Sequence, residues 1–248
     1  MAVVYEEALA EVTGPGQFFE TNERVLGGIA YRAFENAPKN LVEIFNGARG
    51  SDKTFLVYED EEWTFEDVLA EADALGHALV HEFGVKPGDR VGIAMRNLPE
   101  WIVTFAAALS VGAISVSLNA WWTEEEIDYA AGDAGLSVLV CDPERMARAH
   151  PVCDRRGIAL LATRTDTLVP VPPGVTRWED VVVRGNPMPH VEVDPESDAT
   201  ILYTSGTTGS PKGAVSTHRS ICQALMAFGC NGALQGIVRG PNPVPQPA

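Results

Sequence analysis

The chain has 248 residues, 46% of them apolar, enough to bury a sizeable core in one large domain or two small ones. Against 34 Asp and Glu it carries only 18 Lys and Arg, a formal net charge of -16 that repels phosphate backbones and anionic lipid and makes nucleic acid and bare membrane poor partners. A local loop can still hold a nucleotide against that background, because binding depends on nearby donors more than on net charge.

The N-terminal stretch MAVVYEEALAEV is acidic and lacks a basic region followed by an apolar one, so no signal peptide is expected. At Thr64 the pattern TFED starts a capping box, after which Val68, Leu69, Ala72, Leu75, Leu79, Val80 and Phe83 recur at helical spacing. The spacing predicts an amphipathic helix over residues 65–83. A Pro/Gly turn at Lys86 to Asp89 leads into Arg90 to Met95, a short apolar run of the kind a buried strand shows. Asn97, Leu98 and Pro99 open a helix expected to end near Gly112, and Ala113 to Leu118 is the next strand. The uncharged stretch Trp101 to Trp122 is interrupted by Thr104, Ser110, Gly112, Ser115, Ser117 and Asn119, so it reads as helix plus strand and no transmembrane segment is expected.

Thr123 with Glu126 makes a second capping box, and Glu124, Glu125 and Glu126 read as a solvated first turn favoured by the helix dipole. Leu136 to Cys141 is a further buried strand. Short apolar runs separated by helices announce a parallel sheet with crossovers, hence an α/β fold of layered sheets with flanking helices. From Thr163 to Pro195 the chain is polar and Pro-rich and is expected to form a surface connection, before Ala199 to Tyr203 resumes an apolar strand. Cys141, Cys153, Cys222 and Cys230 form no CxxC pair and stand near no histidine at metal-ligand spacing, so reduced, buried thiols of a cytoplasmic protein are expected.

The segment Tyr203 to Gly213 reads YTSGTTGSPKG. Gly206, Gly209 and Gly213 let the backbone approach a ligand, Thr204, Ser205, Thr207, Thr208 and Ser210 supply hydroxyls, and Lys212 adds a point charge. Such a loop can wrap polyphosphate oxygens with amide and hydroxyl hydrogen bonds. It is not a Walker A loop, which needs Gly before the lysine and Ser or Thr after it, whereas Pro211 precedes Lys212 and Gly213 follows. A solvated surface loop would explain the composition but not the ordered sequence between a strand and the run AVSTH.

At these residues the chain resembles the adenylate-forming superfamily of acyl-CoA synthetases, luciferases and peptide-synthetase adenylation domains. Other stretches are similar too: WTFED (Trp63 to Asp67), GDRVGI (Gly88 to Ile93), NLPEW (Asn97 to Trp101) and DATILYTSGTTGSPKGAVSTH (Asp198 to His218). The stretch LNAWW (Leu118 to Trp122) is most similar to bacterial fatty-acyl-CoA ligases. The resemblance implies a reaction in which a carboxylic acid, expected to be a fatty acid, attacks ATP to give an acyl adenylate and pyrophosphate, after which CoA displaces AMP. It further implies that Thr204 to Gly213 hold the β and γ phosphates, with Lys212 as the charged contact and Thr204 as a candidate Mg2+ ligand. His218 reads either as a residue fixing the turn into the next helix, the favoured reading, or as a ligand contact.

After Phe228 none of the family's later motifs is present, neither the ribose aspartate nor the C-terminal lysine, so no catalytic residue is assigned and adenylation by the isolated chain is not expected. The resemblance thus implies a partial N-terminal domain of an adenylate-forming enzyme over residues 1–230. Residues 231–248, with Pro241, Pro243, Pro245 and Pro247, are expected to form a disordered Pro/Gly-rich tail. Two alternatives stay open: a non-catalytic nucleotide-binding or interaction fragment, and a ligase for an aromatic or amino acid.

Overall fold

The computed structural model describes residues 2–165, 170–204 and 211–239. Its contacts divide the chain into two compact units, Asn40–His218 and Met1–Lys39 with Arg219–Ala248.

The smaller unit begins with helix α1 (Ala2–Thr13) and an antiparallel hairpin of β1 (Thr21–Leu26) and β2 (Ile29–Phe34). Gly27 and Gly28 both take positive φ (57° and 81°), the backbone that a two-residue hairpin turn requires because it matches the twist of the flanking strands.

The larger unit starts with α2 (Leu41–Asn46), capped by Asn40, whose side chain accepts from the Glu43 amide at 3.1 Å. An antiparallel pair, β3 (Thr54–Tyr58) and β4 (Glu61–Thr64), leads into α3 (Phe65–His81). The capping box stands as the sequence predicts: the Thr64 hydroxyl accepts from the Asp67 amide, and Asp67 accepts from the Thr64 amide. Val68, Leu69, Ala72, Leu75 and Leu79 form the buried stripe of α3. The chain then alternates strand and helix through β5 (Arg90–Ala94), α4 (Pro99–Ser110), β6 (Ile114–Ser117), α5 (Glu124–Ala134), β7 (Leu136–Cys141), α6 (Pro143–Arg156), β8 (Ala159–Ala162), β9 (Val175–Arg177), α7 (Trp178–Val181), β10 (Asp198–Thr204) and β11 (Lys212–Thr217). Gly112, after α4, takes φ 74°, and a Cβ there would also crowd Pro87 and Val191 at 3.2–3.3 Å.

Among the described residues, seven of these strands form one sheet in the order β11-β10-β6-β5-β7-β8-β9, parallel throughout except for the β10–β11 pair. The sheet is α/β layered, as expected from sequence. Val91, Ile93, Val138, Val140 and Leu161 pack on the side of α3 and α4. Ala94, Val116, Leu139, Cys141, Leu160 and Ala162 pack on the side of α5 and α6. Strands buried on both faces explain why the sequence shows continuous apolar runs in place of alternation. From β5 the chain moves to β6 on one side and then crosses to β7 on the other, so the strand order reverses at β5, the kind of switch point beside which open α/β sheets bind ligands.

Two expectations need correction. The Pro-rich stretch 163–195 is more than a surface connection: Val175–Arg177 adds the parallel edge strand β9, Trp178 is buried, and Met188 packs closely on Gly76. Three partly buried residues carry too little pattern to reveal such a strand in sequence. The last helix, α8 (His218–Arg239), runs nine residues past the expected boundary at 230, so Asn231 to Arg239 are helical; residues 240–248 of the expected tail lie outside the described residues. In the smaller unit Cys230 and Leu234 of α8 bury against Ala8, with Leu9, Val12, Phe19 and Phe34 around them, which holds this part of the chain in a helix.

Trp101 to Trp122 divides into α4, β6 and the turn that follows, as expected. A different segment, His218–Val238, is long and apolar enough to cross a membrane by length and composition. Only 22% of its apolar window is buried, and Gln223 within it exchanges hydrogen bonds of 2.8 and 3.1 Å with the backbone of Phe34.

Candidate functional site

The two described ends of the expected phosphate loop, Tyr203–Thr204 and Lys212–Gly213, lie on β10 and β11, which pair antiparallel, with β6 as the parallel neighbour of β10. Thr204 pairs with Lys212 and Tyr203 with Gly213, so the structure brings the two ends of the motif face to face. Ser205, Gly206, Thr207, Thr208, Gly209 and Ser210 lie outside the described residues. Strand alternation sets the rest: Ile201 and Tyr203 are half-buried, while Leu202 and Thr204 are exposed. Thr204 Oγ1 sits 3.5 Å from the Lys212 carbonyl, at the outer limit of a hydrogen bond, and the Lys212 side chain is exposed. An exposed hydroxyl and an exposed ammonium at the end of a strand are free to approach an anionic ligand or its counter-cation. A Cβ at Gly213 would stand 2.7 Å from Ile201 Cγ2 and 3.4 Å from Tyr203 Cζ, so close cross-strand packing requires glycine there.

Tyr203 ties this hairpin to the rest of the unit. Its hydroxyl donates to Asp133 Oδ2 of α5 at 2.7 Å, lies 3.3 Å from the Ala130 carbonyl, and its ring meets Trp122 edge to face at 5.8 Å. Burial and the bond to Asp133 push the phenol well above its ordinary value, so it remains a protonated donor.

The neighbouring strand ends gather cationic and aromatic groups that the sequence did not single out. The Arg96 amide donates to Asp142 Oδ2 at 3.0 Å, and the Arg96 guanidinium lies 4.6 Å from the centroid of the exposed Trp121 ring. Arg145 is buried, bonded to Asp142 and Glu144 at 3.2 and 2.6 Å and to the Ala120 carbonyl at 2.9 Å. Asp142 also caps α6 through the Arg145 amide at 2.9 Å, and the DPER run was the available signal.

His218 is fully buried, and its Nδ1 accepts from the Leu41 amide at 3.3 Å, the first turn of α2. It therefore holds the start of α2, a distant helix, whereas the sequence reading has it fix the turn into the next one, and burial lowers its pKa so that the neutral imidazole serves as acceptor. Glu126 closes the capping box of α5, and Glu124 pairs with Arg155 at 2.8 Å, as a solvated first turn would. Cys141, Cys153, Cys222 and Cys230 form no disulfide and are buried; burial raises the Cys153 thiol to about 12 and Cys141 further still, so both stay protonated. No group of three or more metal-ligating side chains occurs among the described residues.

The fold and the hairpin together define a doubly covered α/β protein with a Gly/Ser/Thr-rich loop at the carboxyl edge of its sheet. Its family is that of the AMP-binding enzymes: the chain belongs to it, with residues 45–239 matched. The match spans Asn231 to Arg239, in line with their helical structure. Among relatives, the medium/long-chain-fatty-acid–CoA ligase FadD6 of Mycobacterium tuberculosis is 31% identical over 196 residues, 78% of this chain and 32% of the relative. The 4-coumarate–CoA ligase of Vanilla planifolia is 27% identical over 167 residues, 67% of this chain and 30% of the relative. Among solved structures, the anthranilate CoA ligase AuaEII in complex with anthranoyl-AMP superposes with a TM-score of 0.66 at 27% identity, over 73% of this chain and 35% of that one. The chain spans about a third of the length of the curated relatives it matches, with shares of 29%, 32% and 36%.

Proposed function

We propose that this chain supplies the phosphate-gripping part of an AMP-forming acid:CoA ligase that activates a fatty acid with ATP and transfers it to CoA in the cytoplasm. The observation that carries the reading is the β10–β11 hairpin, which joins Thr204 and Lys212 at the carboxyl edge of the sheet in a member of the AMP-binding family. A carboxylate oxygen attacks the α-phosphorus of ATP and pyrophosphate departs; the CoA thiol then attacks the acyl carbon and AMP departs. In this reading the hydroxyls of Thr204, Ser205, Thr207, Thr208 and Ser210 and the amides around Gly206, Gly209 and Gly213 hold the β and γ phosphates, with Lys212 offsetting their charge. The exposed Thr204 hydroxyl, with only a marginal contact to Lys212, suits a cation bridging protein and phosphate. Mg2+ there would neutralise charge on the polyphosphate.

The acid is assigned to the fatty class from the LNAWW stretch and the 31% identity to FadD6. An aromatic acid is the second reading, favoured by the likeness to the 4-coumarate and anthranilate ligases. The isolated chain is proposed to bind ATP without completing adenylation.

The test is titration calorimetry of ATP with Mg2+, run beside ATP-dependent pyrophosphate release over a panel of fatty and aromatic acids. ATP binding without release supports the reading. Release would overturn the inactivity of the isolated chain and identify the acid, and absence of ATP binding would refute the phosphate-gripping role.

A further inference from the structure

Tyr203 stands in the strand half of the motif, where its nominal role is packing, yet three elements converge on its side chain. The hydroxyl reaches Asp133 on α5 at 2.7 Å, a charge-assisted bond between residues 70 positions apart. One edge of the ring meets Trp122, in the turn after β6. Across the hairpin, the ring lies against its paired residue Gly213, 3.4 Å from where a Cβ there would stand. An aromatic ring covering a cross-strand glycine is a known way to pin strand register. Because successive side chains leave a strand on opposite faces, fixing Tyr203 inward fixes Thr204 outward, and the Thr204–Lys212 pairing follows from the same register.

We propose that Tyr203 is a positioning residue for the phosphate loop: clamped by Asp133 and seated over Gly213, it sets the hairpin stem so that Thr204 and Lys212 are presented together to the polyphosphate. This rests on the phosphate-gripping reading for its purpose, but the clamp itself is measurable without ligand.

The experiment compares Tyr203→Phe, Asp133→Ala, Asp133→Asn and the double variant Tyr203→Phe/Asp133→Ala, all in the full chain. Hydrogen exchange is read at the amides of residues 202–204 and 212–214 without nucleotide, and ATP affinity by calorimetry. Tyr203→Phe keeps the ring over Gly213 and removes only the hydroxyl, and Asp133→Asn keeps an acceptor. Stem exchange is expected to rise about tenfold in Tyr203→Phe and in Asp133→Ala, on the order of one charge-assisted hydrogen bond, with ATP affinity falling by a similar factor. Asp133→Asn should stay close to the parent, and the double variant should be no worse than either single one. Unchanged stem exchange in Tyr203→Phe, additive losses in the double variant, or an equal rise across β5 to β8 marking a loss of global stability would each overturn the clamp. If the parent chain binds no ATP, the phosphate-gripping reading fails, while the exchange comparison still decides whether Tyr203 sets the stem.

Discussion

The sheet has two unlike ends. In its middle, β5 and β7 are sealed by helices on both faces, and Val91, Ile93, Val138, Leu139 and Val140 are fully buried. At the loop-bearing end, β10 and β11 leave Leu202 and Val215 about half exposed, and the hairpin depends on a few directed contacts: Tyr203 to Asp133, Tyr203 to Trp122, and the close approach at Gly213. The first region is held by burial, and the second is the one proposed to meet the ligand. Ile201 and Tyr203 still pack on the core beneath the sheet, but the outward residues of this strand pair have few apolar neighbours, a condition under which local opening is easier than in the middle of the sheet.

The comparison can be broken most forcefully in the middle. Leu139→Ala should cost about 2–5 kcal/mol, because it opens a cavity between sheet and helices where nothing can relax into it. Urea denaturation measures this, and a loss below about 1 kcal/mol would mean the central strands are less tightly packed than described. Gly213→Ala should cost about 1–3 kcal/mol, since its Cβ would press on Ile201 Cγ2. In that variant stem exchange should rise before the protection of β5 and β7 changes.

Next in size is a pH effect from His218. Burial lowers its folded pKa below the ordinary 6.5, so the unfolded chain binds the proton more readily. The contribution is fully present above about 6.5 and is lost as pH falls from there toward the folded value, at no more than about 1.4 kcal/mol per pH unit. His218→Gln keeps an acceptor for the Leu41 amide and should flatten this part of the stability profile; an unchanged slope would assign it to other groups. The smallest effects belong to the exposed side of the hairpin. Leu202→Lys and Lys212→Ala should each change stability by less than about 0.5 kcal/mol. Lys212→Ala should nonetheless weaken ATP binding, and unchanged affinity would show that the loop does not engage phosphate.

Where one local pattern suffices, the sequence was legible. The TFED start of α3, the Thr123–Glu126 box of α5 and the apolar runs of β5 and β7 lie where their residues predict, because caps and periodicity act over a few positions. Less legible were β9 inside the Pro-rich stretch, the hairpins β1–β2 and β3–β4, and the helical continuation from Asn231 to Arg239. Each of these is short, exposed or without clear amphipathic pattern, and is held by partners distant in sequence.

For the candidate site the division is similar. The motif from Tyr203 to Gly213, its exclusion from the Walker A class and the family resemblance were all readable from residue order, since such motifs are defined by particular residues at particular spacings. That the two ends of the motif pair antiparallel, that Thr204 faces Lys212, and that Asp133 holds Tyr203 were decided only when the chain folded. Register and side-chain pairing across 70 residues depend on how α5 settles against the sheet, and that is a property of packing which no local stretch of sequence contains.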